Sequence, residues 1–421
     1  MPGPLSRILK VEPGEAAAVS WAFTYFFLLL ASYYILRPLR DEMGIAGGVS
    51  NLPWVFTGTF MAMLAAVPLF GFITARMSRQ RFLPLVYGFF ILNLLLFYGL
   101  FQVEAWRETT ARAFFIWVSV FNLFVVSVFW SFMVDLFTNR QGKRLFGLIA
   151  AGGTAGAMAG PLLTALLAAP LGPVNLLPVS ALLLAGTMLC IQALGRRSAP
   201  QSTETRGKPD KALGGSVFAG LALIGRSPYL LGIALFLLLF TLLSTFLYFE
   251  QAQIVSQSFA NAGERTRFFA LLDLAVNALT VLTQLLITSR FLTRLGVAGT
   301  IMLVPLLTGF GFALLAITPA LGVLAGFQIL RRAGDFALTR PARELLFTVV
   351  DREAKYKAKN ALDTVVYRGG DALAGWLITG LKSLGAGITA IAWMAVPVAL
   401  FWAWLAWTLG RRQAALSQNN P

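Results

Sequence analysis

The sequence predicts an all-α membrane protein: twelve transmembrane helices in two six-helix halves related by pseudo-symmetry. Three observations lead there. Of 421 residues, 57% are hydrophobic and only 12% charged, with a mean hydropathy of +0.74, whereas a soluble domain carries about 25% charged residues. The apolar residues, at about 20 per crossing, allow roughly twelve spans. A polar stretch divides the apolar runs near the middle of the chain.

The first half holds apolar runs at roughly 15–36, 52–75, 82–103, 113–137, 145–170 and 174–194, each bounded by charge, Gly or Pro. At 1.5 Å per residue each is long enough to cross about 30 Å of hydrocarbon. Next comes Gly195 to Arg226, containing RRSAPQSTETRGKPDK, too hydrophilic to insert and too short for a domain. Residues 195–226 are therefore expected to be a cytoplasmic linker. The second half repeats the pattern at roughly 228–250, 267–289, 297–317, 320–348, 361–381 and 387–409. The N-terminal half is then 1–194 and the C-terminal half 227–421, of nearly equal length, as in a transporter built from repeats.

Charge sets the orientation. With both termini in the cytoplasm, 24 of the 34 Lys and Arg residues fall on the cytoplasmic side and 7 on the other, while Arg331, Arg332 and Arg368 lie inside predicted spans. This asymmetry is what the positive-inside rule produces, and it accounts for the net charge of +16 without nucleic acid as a partner. The first apolar run is long enough to span, so no cleaved signal is expected. A compact chain without targeting extensions suits a bacterial inner membrane, and a monomer is expected.

The absences narrow the function. No His and a single Cys, Cys190, leave nothing for imidazole chemistry, a Ser-His-Asp triad, a zinc site or a disulfide framework. The protein is not expected to be an enzyme or to carry a cofactor. Gly142-Lys143-Arg144 lacks the glycines and the Ser/Thr of a phosphate loop.

Two segments resemble motifs of the major facilitator superfamily. Gly71 to Arg81, with Arg76 and Arg79, resembles its cytoplasmic loop motif, in which a Gly lets helices approach and basic residues hold the gate. Here Ala75 stands at the acidic position and Ser78 at the second Gly, and Ser289 to Gly296 is a weaker echo in the second half. Helix five carries Gly152, Gly156 and Gly160 at four-residue spacing, a face on which two backbones can approach. Gly156 to Pro161 also resembles part of the antiporter motif of drug/proton exchangers.

The sharpest functional signal is charge at membrane depth, which costs about 2.5–3.5 kcal/mol per residue at a helix centre. Arg331 and Arg332 sit about eleven residues into helix ten, near the midplane. Asp335, at i+4 and i+3, can neutralise one of them but not both; Asp273 or Asp371 from other helices is the structural alternative. Helix one ends in Tyr33-Tyr34-Ile-Leu-Arg37-Pro-Leu-Arg40-Asp41-Glu42. This reads equally as an interfacial belt of tyrosines and solvated charges or as a helix broken at Pro38 that lines a cavity.

Several stretches together resemble the nucleotide transporter family, the ATP/ADP translocases of plastids and intracellular bacteria. They are Tyr34 to Asp41, Phe129-Trp130-Ser-Phe132 through Gly142-Lys143-Arg144-Leu-Phe146-Gly147, and Arg340-Pro341-Ala-Arg343-Glu344 through Asp351, Lys357, Lys359, Asp363 and Arg368. The resemblance implies a twelve-helix carrier whose basic residues on helices one and ten contact an anionic substrate, here Arg40 and Arg343 where the family has Lys, with Asp273 as the acid of helix eight. Helix four departs from the family: the position of its Glu is about Val118, with Asn122 a turn further on. Arg grips a phosphate bidentately as Lys does not, so both exchanges preserve anion binding.

The expected function is alternating-access transport of an anionic, nucleotide-like or phosphorylated solute, possible by exchange. Arg37, Arg40, Arg331, Arg332 and Arg343 would supply charge, Tyr33, Tyr34 or Trp130 would stack a ring, and Asp273 or Asp335 would reset the site between loaded and empty states. Gly71, Arg76 and Arg79 would serve the gate. Two alternatives are a proton-coupled exporter of drugs or amphiphiles and a membrane scaffold that does not transport.

Overall fold

The computed structural model describes residues 11–12, 14–76, 79–197 and 217–418, with the side chains of 70–76, 79–81, 139, 197, 217–219, 352 and 353 outside that description. Every regular element among these residues is helical. The helices are α1 (Ala16–Ala46), α2 (Leu52–Arg76), α3 (Arg79–Leu100), α4 (Arg107–Leu136), α5 (Asn139–Leu171) and α6 (Leu176–Arg197). After them come α7 (Val217–Arg226), α8 (Pro228–Ser258), α9 (Ala262–Leu286), α10 (Thr288–Arg294), α11 (Gly296–Ile317) and α12 (Leu321–Gly334). The last four are α13 (Arg340–Leu346), α14 (Arg352–Ala361), α15 (Tyr367–Ser383) and α16 (Ile388–Gln418).

Among the described residues, ten helices are long and apolar enough to cross a membrane. At the positions predicted for the tenth and eleventh spans the helix is instead interrupted by π turns, Asp335–Thr339 between α12 and α13 and Leu362–Val366 between α14 and α15. These two composite helices, with the ten, are compatible with twelve crossings. The linker is described only at its ends. At its C-terminal end the chain forms α7, whose Gly220 sits against the backbone of Lys357 in α14. Ile224 of the same helix is buried.

The chain gathers into two compact units, residues 1–48, 65–206 and 259–274 in the first and 49–64, 207–258 and 275–421 in the second. Both α2 and α9 thus contribute to each. In the first unit α1 packs against α4, α5 and α6. Gly152, Gly156 and Gly160 lie directly on the backbone of α1 at Phe23, Phe27 and Ala31, where any Cβ would collide. In lipid, apolar surface gives no advantage to helix association, so this close approach and hydrogen bonds must hold the pair. Ser32 and Ser180 supply such bonds between α1 and α6: their hydroxyls lie 2.8 Å apart, and each also donates to the other's backbone carbonyl at 3.0 and 3.1 Å.

An aromatic core fills the unit. Phe26 stacks on Phe129 with centroids 4.1 Å apart, and the hydroxyls of Tyr25 and Tyr87 are hydrogen-bonded at full burial. In the second unit α11 runs along α16 and α8 packs on α15 and α16. Gly410 meets the backbone of Ala298, again a small-residue contact.

α1 continues to Ala46, through Pro38 and about ten residues beyond its predicted end. Proline removes one backbone donor, but neighbouring helices can offset such a loss within a bundle. Arg112 Nε donates to the Gly47 carbonyl at 2.7 Å and so caps the extended end.

At the other end, Glu15 ties α1 to the start of α5. Its carboxylate accepts from Gln141 at 3.0 Å and from Arg144 at 2.9 Å, and Glu12 N–H donates to it at 2.9 Å. Arg144, part of the Gly142-Lys143-Arg144 motif, is therefore an anchor for the entry into α1. Burial pulls the Glu15 carboxyl upward, but the hydrogen bonds from Glu12, Gln141 and Arg144 outweigh it and hold the group below its ordinary 4.5. A depressed carboxyl adds stability that is complete above the unfolded value and is lost as pH falls through the native one.

Two outcomes follow. Gly156→Ala should cost about 1–3 kcal/mol by overpacking α1 against α5, read as a lower Tm of the purified protein; Gly147→Ala, with nothing within 4 Å of its Cβ, should leave Tm unchanged. Glu15→Gln should lower Tm at pH 7, with the gap to the unsubstituted protein closing as pH drops below 4.5; a gap independent of pH would contradict the assigned network.

Candidate anion-binding site

In the second unit, the centre of charge is Arg331, near the end of α12 and only 7% exposed. Its Nη1 donates to Ser244 Oγ of α8 at 2.8 Å and its Nη2 to Gln328 Oε1 at 3.1 Å. Gln328 Nε2 in turn donates to Gln251 Oε1 of α8 at 2.7 Å. Every acceptor in this chain of contacts is neutral. Arg331 Nε has no acceptor, and among the described residues no carboxylate lies within ion-pair distance of the guanidinium. A buried donor without a partner costs about 1–3 kcal/mol, and a buried cation without a counter-charge costs more.

Asp335 stands one turn beyond Arg331, as its spacing suggested, with its backbone N–H on the Arg331 carbonyl, but its carboxylate is engaged by Arg340. With i→i+5 hydrogen bonding from Asp335, residue i+5 is brought beside it, and Arg340 Nε donates to Asp335 Oδ2 at 3.1 Å. The carbonyls of Phe336 and Ala337 accept from Gln284 Nε2 at 3.3 Å and Thr288 Oγ1 at 2.9 Å. Side chains of α9 and α10 thus satisfy backbone that an uninterrupted α-helix would have engaged itself.

The other sequence-predicted residues are less available. Arg332 is partly buried. Arg343 lies 3.9 Å from Asp363, and Asp371 is paired with Arg368 at 3.5 Å.

In the first unit the end of α1 is neither a solvated belt nor a broken helix. Asp41 and Glu42 are 7% and 0% exposed, inside a charged cluster. Arg37 Nε lies 3.6 Å from Asp273 Oδ2 of α9 and its guanidinium is over the Tyr34 ring, which meets Tyr33 edge-on. Asp273 is therefore a partner of Arg37. Arg40 donates to Asp41 Oδ1 at 2.8 Å and stands over Phe115. Arg265 of α9 forms a bidentate pair with Glu42 at 2.8 and 2.9 Å.

Trp130 belongs to the aromatic core, edge-on to Phe26, Phe129 and Phe146, so its ring is already packed. The side chains of Gly71, Arg76 and Arg79 lie outside the described residues. The arrangement in the second unit can accept an anion on a guanidinium that has no carboxylate within ion-pair distance among the described residues; in the first, each arginine of α1 already faces a carboxylate.

Sequence reading missed Ser244, Gln251 and Gln328. A signal was present: Thr241, Ser244, Thr245 and Gln251 recur near helical spacing along an otherwise apolar α8.

Comparison with known proteins supports the fold and adds the family. The backbone is similar to that of a POT family transporter in complex with a thioalcohol-conjugated peptide, with TM-score 0.65, 13% identity, and 94% of this chain and 96% of that chain covered. It is also similar to the nucleoside transporter NupG, with TM-score 0.64, 15% identity and coverage of 96% and 99%. A bacterial homologue of the human lysosomal transporter Spinster matches with TM-score 0.57 and 13% identity over 97% of this chain and 98% of that one. No curated protein sequence matches. The model of the TLC ATP/ADP transporter family matches residues 107–413, which takes in most of the chain and both composite helices. This integral membrane protein belongs to the TLC ATP/ADP transporter family and is a transporter, not an enzyme.

Proposed function

We propose that the protein is an alternating-access carrier of an anionic, phosphorylated or nucleotide-like solute, working by exchange as a monomer. The halves 1–194 and 227–421 are its moving bodies, and both termini face the cytoplasm of a bacterial inner membrane. Arg331 carries the reading: it is a buried guanidinium held by Ser244 and Gln328, with no carboxylate beside it among the described residues. A phosphate oxygen would supply both the missing negative charge and an acceptor for Nε. Membership of the family supports the choice of a nucleotide-like solute, and the similarity to a nucleoside transporter is consistent with it.

Arg332 and Arg343, on the same composite helix, add positive potential. Arg37 and Arg40 with Tyr33 and Tyr34 form a second group that engages the solute only by exchanging one of their carboxylate partners for it. Asp273 and Asp335 hold Arg37 and Arg340 while no solute is bound, and Gly71, Arg76 and Arg79 remain the proposed gate.

The test uses proteoliposomes preloaded in turn with ATP, ADP, AMP or inorganic phosphate. Counterflow should occur with these anions, and Arg331→Ala should lower uptake at subsaturating solute at least tenfold, about 1.4 kcal/mol or more, with Arg331→Lys intermediate. Retention of anion uptake by Arg331→Ala, at unchanged Tm, would overturn the assignment; efflux of an amphiphilic cation with no anion counterflow would favour the exporter reading.

A further inference from the structure

Five carboxylates are buried among the described residues: Asp41, Glu42, Glu250, Asp273 and Asp335. Four of them face arginines. Asp41 is bound to Arg40, Glu42 to Arg265, Asp273 to Arg37 and Asp335 to Arg340. A guanidinium stays protonated in a protein and stabilises the ionised carboxylate against it, so each of these four has an arginine for its counter-charge. Glu250 differs. It is 0% exposed, near the end of α8, and its neighbour is Lys382 of α15, with Nζ 3.3 Å from Oε1. Lys382 gives its hydrogen bond to Gln253 Oε1 at 2.7 Å, and neither oxygen of Glu250 accepts one.

The surroundings of Glu250 offer no other charge at close range. From α15 the groups on the α8 side are Lys382, and, further along, Arg368 and Asp371, the latter accepting from Thr245 Oγ1 at 3.2 Å. Tyr367 lies at the start of α15, beside Phe240. From α12 comes Arg331, on Ser244. The contacts from α16 are uncharged, Trp402 against Phe236 and Phe240. The turn at Val49–Asn51 is uncharged, and Arg226 of α7 is at the opposite end of α8. Among the described residues, Lys382 alone is within ion-pair distance of Glu250.

We infer that Glu250, with Lys382 as its counter-ion, is a proton-binding site that couples proton movement to solute transport. Burial without hydrogen-bond donors penalises the charged form of any carboxylate, and a proton from water, forming an O–H bond at one oxygen, removes that penalty. No electrons move, and the proton returns to water when the bond breaks. Protonation also releases Lys382, whose side chain is 30% exposed and can turn to solvent. The link between α8 and α15 at this end then exists in two states. Since α8 and α12 carry the Arg331 network, the state of Glu250 bears on the helix that holds the anion. The inference rests on the anion-carrier reading, because a proton has to be coupled to a moving solute.

The experiment separates the two. Proteoliposomes holding a pH-sensitive dye and preloaded with one of ATP, ADP, AMP or inorganic phosphate, as exchange requires, receive a different one of these anions outside. Luminal acidification should accompany entry of the transported anion in the unsubstituted protein. Glu250→Gln and Lys382→Arg, the latter keeping the charge but offering a guanidinium, should each reduce that acidification at least tenfold, and Glu250→Asp should restore part of it. Anion counterflow without any pH change in the unsubstituted protein would overturn the proton site and leave the anion reading standing. Acidification by Lys382→Arg equal to that of the unsubstituted protein would also overturn it. Absence of counterflow for all four anions would overturn the anion reading itself.

Discussion

A charge inside a membrane protein must find a counter-charge, a hydrogen bond or a use, and the arrangement of this chain follows from how each buried ion meets that demand. Arg37, Arg40 and Arg265 meet it with carboxylates. Arg331 meets it only with the neutral oxygens of Ser244 and Gln328, and its Nε is left unmatched. That asymmetry distinguishes a structural ion pair from a binding group. A fully neutralised guanidinium must lose a partner before it can hold an anion, whereas Arg331 gains one.

The π turn contributes to the difference. Asp335 stands one α-helical turn beyond Arg331. The wider turn that follows brings Arg340 to its carboxylate and frees two carbonyls for Gln284 and Thr288. The second π turn, Leu362–Val366, precedes Arg368 and Asp371 on the other composite helix. Departures from α-helical hydrogen bonding thus occur on the two helices richest in charge, as is frequent at functional sites.

Much of the fold was legible in the sequence, because a crossing requires about 20 apolar residues and runs of that length cannot be hidden. The glycine face of α5 was legible for a similar reason: Gly152, Gly156 and Gly160 share a side of the helix by spacing alone. Helix ends were not. Hydropathy ends α1 at about residue 36 because Arg37, Arg40, Asp41 and Glu42 follow, yet those charges are cancelled across helices and the helix continues to Ala46. Glu250 and Lys382 were hidden in the same way, each at the polar end of an apolar run. Local spacing exposes partners along one helix, so it offered Asp335 for Arg331. Pairings such as Arg37 with Asp273 depend on which helices become neighbours, and π turns have no comparable signature.

The central claim is that Arg331 is the group a negative solute completes. The most direct measurement is an experimental structure with the best-exchanged phosphorylated solute bound, read at the position of its phosphate. A phosphate oxygen should lie within about 3 Å of Arg331 Nε. A solute held elsewhere would contradict the account.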